Sequence, residues 1–454
     1  MTAARQFGGK DMVVLVVGVS LGLAYAAAYK PILAIVAMVF VVFAAWVLTR
    51  PDLVLYVVVA AMPWNGMLEF PSPTLSLNKA LGLALAVSYL LWALRRNEPL
   101  RFPPVLGIAA LFGFVVGLSL LFAHDPAGGL TKALRYASFF LILFLAIQLI
   151  QDRKTLMRVL RVLTAATALA AAYGLVQFLS GAAERASGPI PDPNDFAYMM
   201  ATVIPIALFL AREDRGRRLL WGIATLLLFG AILATLSRGA LVGLAVLLLW
   251  AVVTRRIGFA GTISLILSSL VLIGLALTLW SSVINERLEE KSRIGAANVE
   301  SRAAFWSAAE RMAMDHPILG VGPGAFSTEA KNYVRNSPIA LENPLVHNSY
   351  LEILAEDGPF ALLLFLGMLA AAWIAATGAE RMARIHRDKE TRALASAVKG
   401  MLLVATVSGI FLSEQVSPPF WVAAALAAVL AVPAHGEGVV ELPRLRRAPA
   451  SATA

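Results

Sequence analysis

Apolar residues dominate this chain in long runs, broken by short polar punctuation. Runs lie near 12–28, 31–49, 52–64, 80–95, 104–122, 132–150, 159–180, 197–211, 219–236, 239–253, 260–282, 359–376, 394–413 and 419–434. Most of them approach the roughly 20 apolar residues that carry a helix across a bilayer. The run at 52–64 is short enough to be re-entrant, and that at 419–434 begins after Pro418. The pattern predicts an all-α, polytopic transmembrane helix bundle of twelve to fourteen helices. One stretch departs from it. From about residue 282 to 347 the chain is polar, which predicts a long extracytoplasmic segment.

Composition sharpens this reading. Hydrophobic residues make up 59% of the 454 positions and charged residues 15%, well below the ~25% charged that is usual in soluble domains. Residues 1–434 therefore read as a single integral-membrane domain, and the Pro- and Ala-rich stretch 435–454 as a disordered cytoplasmic tail. The run at 12–28 reads as the first span, since no small-residue cleavage site followed by a soluble chain is present. Cysteine is absent, which excludes disulfides, thiolate catalysis and Cys-ligated metals.

The net charge of +10 is explained by where the Lys and Arg residues fall. With the N-terminus inside, most of the 38 collect in alternate loops: Arg95-Arg96, Arg153 to Arg161, Arg212 to Arg218, Arg255-Arg256 and Arg381 to Lys399. That is the positive-inside bias of a membrane protein, not a nucleic-acid footprint. The other side then receives the loop 180–196, the turn at Ser237-Arg238 and the long segment 282–347.

Candidate chemistry lies on that outer side. His347-Asn348-Ser349 precedes a helix, and Ser349 with Glu352 reads as a capping box. Asp357-Gly358-Pro359 ends that helix, with Pro359 suited to the first turn of the next. An imidazole beside a helix N-terminus should keep a lowered pKa and remain a proton acceptor. The same helix end is a potential phosphate site. The plain alternative is a helix cap at the interface. Arg238 interrupts a long apolar stretch, which fits either a snorkelling anchor or a cation facing an interior cavity. Arg302 and Trp306 share one helical face. Phe305, Trp306, Ala309, Met312 and Ala313 recur as an amphipathic helix expected at the membrane surface. His316-Pro317 ends it, and the Gly320–Gly324 run is a turn. The loop Asp192-Pro193-Asn194-Asp195 reads as a Pro-rich turn, with Asp195 a plain helix cap; a metal pair at Asp192 and Asp195 is the lesser reading.

These pieces together resemble the O-antigen ligase/polymerase superfamily of integral-membrane glycosyltransferases. The resemblance rests on His347-Asn348 followed by nine residues and Gly358, and on Arg238-Gly239-Ala240-Leu241, where Val242 stands in place of a Leu. It rests also on Arg302 with Trp306, on Gly320, Gly322, Gly324 and Phe326, and on Asp192 to Ala197. It covers roughly residues 188–375. Ala361 departs from the ligase form of the signature.

The resemblance implies a GT-C-like bundle in a bacterial inner membrane, with its site facing the periplasm or cell exterior. It implies metal-independent, inverting glycosyl transfer, without a cofactor, from an undecaprenyl-diphosphate-linked glycan to a hydroxyl of a glycan or of lipid A core, in lipopolysaccharide O-antigen or exopolysaccharide synthesis. His347, Arg238 and Arg302 would be catalytic. Asn348, Ser349, Asn194, Asp195 and Arg311 would bind substrate. Three other readings remain. A transporter or flippase needs repeated halves or broken helices at mid-membrane. A metal-dependent GT-C transferase usually carries acids in its first outer loop, here Ala28 to Pro31. A scaffold would tolerate loss of His347.

Overall fold

The computed structural model describes residues 49–67, 77–96, 99–256, 274, 301–334 and 344–431. Among them every regular element is helical. The helices are α1 (Pro51–Ala61), α2 (Leu77–Arg96), α3 (Pro104–Leu121), α4 (Pro126–Leu149), α5 (Arg153–Leu179), α6 (Pro193–Glu213), α7 (Arg218–Thr235) and α8 (Arg238–Val253). They continue as α9 (301–315), α10 (Phe326–Tyr333), α11 (Ser349–Ile385), α12 (Lys389–Ser408) and α13 (Pro418–Ala431). A 3-10 turn, Met62–Met67, follows α1.

The starts follow from local chemistry. Asp125, Asp152, Asp192, Asn348 and Asp388 each accept a hydrogen bond from a backbone N–H in the first turn of the helix that follows, satisfying a donor with no intrahelical partner. Pro51, Pro104, Pro126, Pro193 and Pro418 open their helices, where a missing N–H costs nothing.

Six of the described helices are long and apolar enough to cross a membrane: α3, α4, α5, α6, α7 and α11. Shorter apolar helices are α1, α2, α8 and α13. The chain is a multi-pass, all-α membrane protein. The spans expected near 12–28, 31–49 and 260–282, and the tail 435–454, lie outside the described residues, 31–49 doing so but for Thr49. α6 and α13 are the interior, buried along most of their length. α12 passes close to α6 because Gly400 faces Pro205 and Leu247; small residues let helix backbones approach in this way.

The connections separate by charge. At one end Arg153 pairs with Asp388 and Glu390, Arg161 with Asp214, and Arg256 and Lys399 with Glu380. There the Lys399 ammonium lies 4.8 Å from the Trp373 ring centroid and the Arg256 guanidinium 4.4 Å from that of Trp250. At the opposite end, Gly66 abuts Pro189 and Pro191, and the His124 N–H donates to the Val321 carbonyl at 3.0 Å. The alternation read from Lys and Arg is thus the alternation of the helices.

The amphipathic helix is present as α9, ending at residue 315 ahead of Pro317. Its apolar face is covered by protein, where a membrane surface was expected. Phe305, Ala308, Ala309 and Met312 are buried with Val321, Phe326, Val346 and Ala355. These residues form a small second core under the 301–334 segment, because α10 and the start of α11 fold back over the stripe.

Candidate active site

α11 contains a break. Its first part ends at Asp357, Gly358 takes φ 83 and ψ 176, and the helix resumes at Pro359. Pro359 has no N–H, so carbonyls near the break lose their intrahelical donors. The Val321 N–H donates to the Ala355 carbonyl (3.0 Å) and the Gly322 N–H to the Glu356 carbonyl (2.8 Å). The Ser119 hydroxyl donates to the Leu319 and Glu356 carbonyls. Gly320 and Gly358 both have positive φ, and a Cβ on either would overlap backbone across this contact. The glycine run of 320–324 is therefore a docking turn for a broken helix.

His347 sits at the other end of that first part. Its φ is 53, a left-handed conformation that costs a non-glycine residue on the order of 1–3 kcal/mol. Several bonds hold it there. The His347 N–H donates to Ser413 Oγ at 3.0 Å. The Trp306 indole donates to the Val346 carbonyl at 2.9 Å. Asn348 Oδ1 accepts from the N–H groups of Tyr350 (3.0 Å) and Leu351 (3.1 Å).

The helix is thus capped by Asn348, one residue before the capping box expected at Ser349. Ser349 is already helical, its hydroxyl donates to the Leu412 carbonyl, and that oxygen accepts from the Glu414 N–H. Glu352 bonds Lys132 and Ser413 instead of reaching back. The Ser349 N–H is itself bonded to the carbonyls of Gly409 and Leu412. The N–H groups that made this helix end a potential phosphate site are already used, so the cations are what an anion would meet.

The first cation is Arg302. It is half-buried at the start of α9 and donates to the Phe411 carbonyl at 3.2 Å. The His347 pKa is lowered first by burial and next by the Arg302 guanidinium, with Asp192 and Glu352 opposing. Burial lowers the Arg302 pKa too, and Asp192 opposes it. The lowered His347 pKa expected from the helix end is therefore found, with a different cause. Arg238 opens α8 and is exposed. Its neighbour Gly239 packs against the side chain of Phe411, so Arg238 and Arg302 flank one residue.

Asp192 brings in the third loop. Its carboxylate caps α6, accepting from the N–H groups of Asn194 (2.6 Å) and Asp195 (3.4 Å), in place of the Asp195 cap that the sequence predicts. Arg185 ties this loop to α7: its Nε donates to the Thr235 carbonyl (2.8 Å) and an Nη to Asn194 Oδ1 (2.9 Å). Glu414 is buried, and its pKa is raised well above the carboxylate range by burial and by the adjacent Asp195, with which it shares a hydrogen bond.

His347, Arg302, Arg238, Asn194 and Asp195 therefore meet at one end of the bundle. Arg311 does not join them. It lies nine residues along α9 from Arg302, about 13 Å of helix, and donates to the Tyr333 carbonyl at 2.7 Å. Asn348 and Ser349 are at the site, with Asn348 Oδ1 engaged by the helix start and the Ser349 hydroxyl by the backbone of Leu412 and Glu414. Arg185, Glu414, Ser413 and Lys132 were not singled out from the sequence. Arg185 and Lys132 carried only a faint signal, as basic residues on the side that holds few.

One broken helix and several converging loops thus meet at one end of an apolar bundle of a multi-pass membrane protein. Residues 223–366 match the O-antigen ligase family model, so this region of the chain is similar to the O-antigen ligase/polymerase superfamily. The match takes in Arg238, Arg302 and His347; the Arg185–Asp195 loop precedes it. A search among proteins of curated function returned no match.

Proposed function

We propose that this protein transfers a glycan from a polyprenyl-diphosphate carrier to an acceptor hydroxyl, at the outer face of a bacterial inner membrane. The observation that carries the reading is the convergence of His347 and Arg302 with Arg238 nearby, at the end of the bundle opposite the basic loops. A lipid diphosphate is a leaving group with its charge near the bilayer surface. Arg302 and Arg238 bind it and stabilise the charge that develops as the glycosidic bond to phosphate breaks. His347 is neutral at pH 7 and takes the proton of the acceptor hydroxyl as that oxygen attacks the anomeric carbon. Attack opposite the diphosphate inverts the configuration, and no metal is needed.

The test is purified protein with a polyprenyl-diphosphate oligosaccharide and acceptor in EDTA. Transfer in EDTA supports the reading; a strict need for a divalent ion rejects it. Product length then separates the two branches. A single transfer onto a lipid acceptor marks a ligase, and a ladder of repeats marks a polymerase.

A further inference from the structure

Beneath His347 lies a buried polar chain that crosses three parts of the sequence. The His347 N–H donates to Ser413 Oγ, the Ser413 hydroxyl donates to Glu352 Oε2, and Glu352 Oε1 accepts from Lys132 Nζ. Lys132 also donates to Glu356, and Glu356 accepts from the Phe326 N–H at 3.2 Å. Glu352 and Glu356 are buried and Lys132 nearly so. Lys132 stands on α4 before the matched region 223–366, and Ser413 stands after it. A buried ion pair between helices is costly to assemble, and this one ends on the backbone of a single strained residue.

We infer that Lys132, Glu352 and Ser413 are positioning residues for His347, holding its backbone in the left-handed conformation from which the imidazole is presented beside Arg302. The geometry supports this in two ways. Ser413 Oγ is the acceptor for the His347 N–H, so the left-handed turn depends on where Ser413 sits. Ser413 in turn is fixed by Glu352, whose other oxygen is fixed by Lys132. The inference rests on the role proposed for His347.

Ser413→Ala removes the hydroxyl and leaves the Lys132 ion pairs in place; Ser413→Thr keeps it. For glycan transfer, Ser413→Ala should lower kcat about tenfold to a hundredfold, the scale on which a misplaced group acts. KM for the donor should stay within about twofold, and Ser413→Thr should retain most of kcat. Lys132→Arg should be far more active per folded molecule than Lys132→Met. Lys132→Met strands two buried carboxylates and will lower the folded yield, so the Ser413 pair carries the test.

If Ser413→Ala keeps kcat within about twofold while His347→Ala is inactive, the positioning chain is wrong. If His347→Ala transfers at the unmutated rate, the proposed function of His347 is wrong. A second readout does not depend on transfer. In 15N-histidine-labelled protein in nanodiscs, the His347 imidazole titrates among the charges of Arg302, Asp192 and Glu352. Ser413→Ala should move that titration toward free histidine, and Ser413→Thr should leave it in place. An unmoved titration in Ser413→Ala overturns the inference.

Discussion

At the scale of single residues, the proposed chemistry turns on a neutral imidazole beside a cation. Burial and Arg302 hold the His347 pKa below its ordinary 6.5, so the proton-accepting form persists as pH falls through the range where a free histidine charges. The acid limb of the transfer rate should therefore lie below pH 6.5, and removing the Arg302 charge with Arg302→Gln should move that limb to higher pH. A pH–rate profile checks both. Arg302→Lys should still lose about tenfold or more, because one ammonium replaces a planar group with several donors, measured as kcat/KM for the donor. His347, Arg238 and Arg302 were legible in the sequence because a charged or ionisable residue beside apolar helices stands out. Arg185 and Glu414 were not. Arg185 is one basic residue in an ordinary-looking loop, and Glu414 acquires meaning only when α13 brings it against Asp195.

At the scale of elements, the break in α11 is the feature that docks this helix on the Gly320–Gly324 turn. Gly358→Ala adds a Cβ that overlaps the Ile318 carbonyl oxygen and forces a positive φ on alanine. It should lower the midpoint of thermal unfolding or prevent accumulation of folded protein, whereas Gly378→Ala, facing open space on the same helix, should do neither. Asn348→Ala should cost about 1 kcal/mol through the lost cap, read as a smaller fall in the same midpoint. Helix positions were largely legible, since Asp-Pro starts and apolar runs are local signals. The cap was displaced by one residue because Asn348 and Ser349 are both good capping residues, and only the backbone decides between them. The apolar stripe of α9 was legible, but its partner was not: a stripe specifies that something apolar covers it, not whether lipid or protein does so.

At the scale of the whole molecule, alternation of the helices and clustering of the basic residues agree, which fixes two chemically distinct ends. The absence of cysteine makes this testable. Ala182→Cys, in the loop before α6, should react with a membrane-impermeant thiol reagent applied from the periplasmic side, and Gly216→Cys, between α6 and α7, should react only after the membrane is opened; the reverse result would invert the topology. The Lys132–Glu352 link, spanning 220 residues, was beyond the sequence because nothing local marks two distant charged residues as partners. The central claim is that His347 takes the acceptor proton during transfer from a lipid diphosphate. It is tested most directly by transfer from a polyprenyl-diphosphate oligosaccharide in EDTA, comparing unmutated protein with folded His347→Ala. The rate should fall about a hundredfold or more with donor binding retained, and an unchanged rate would contradict the proton-accepting role of His347.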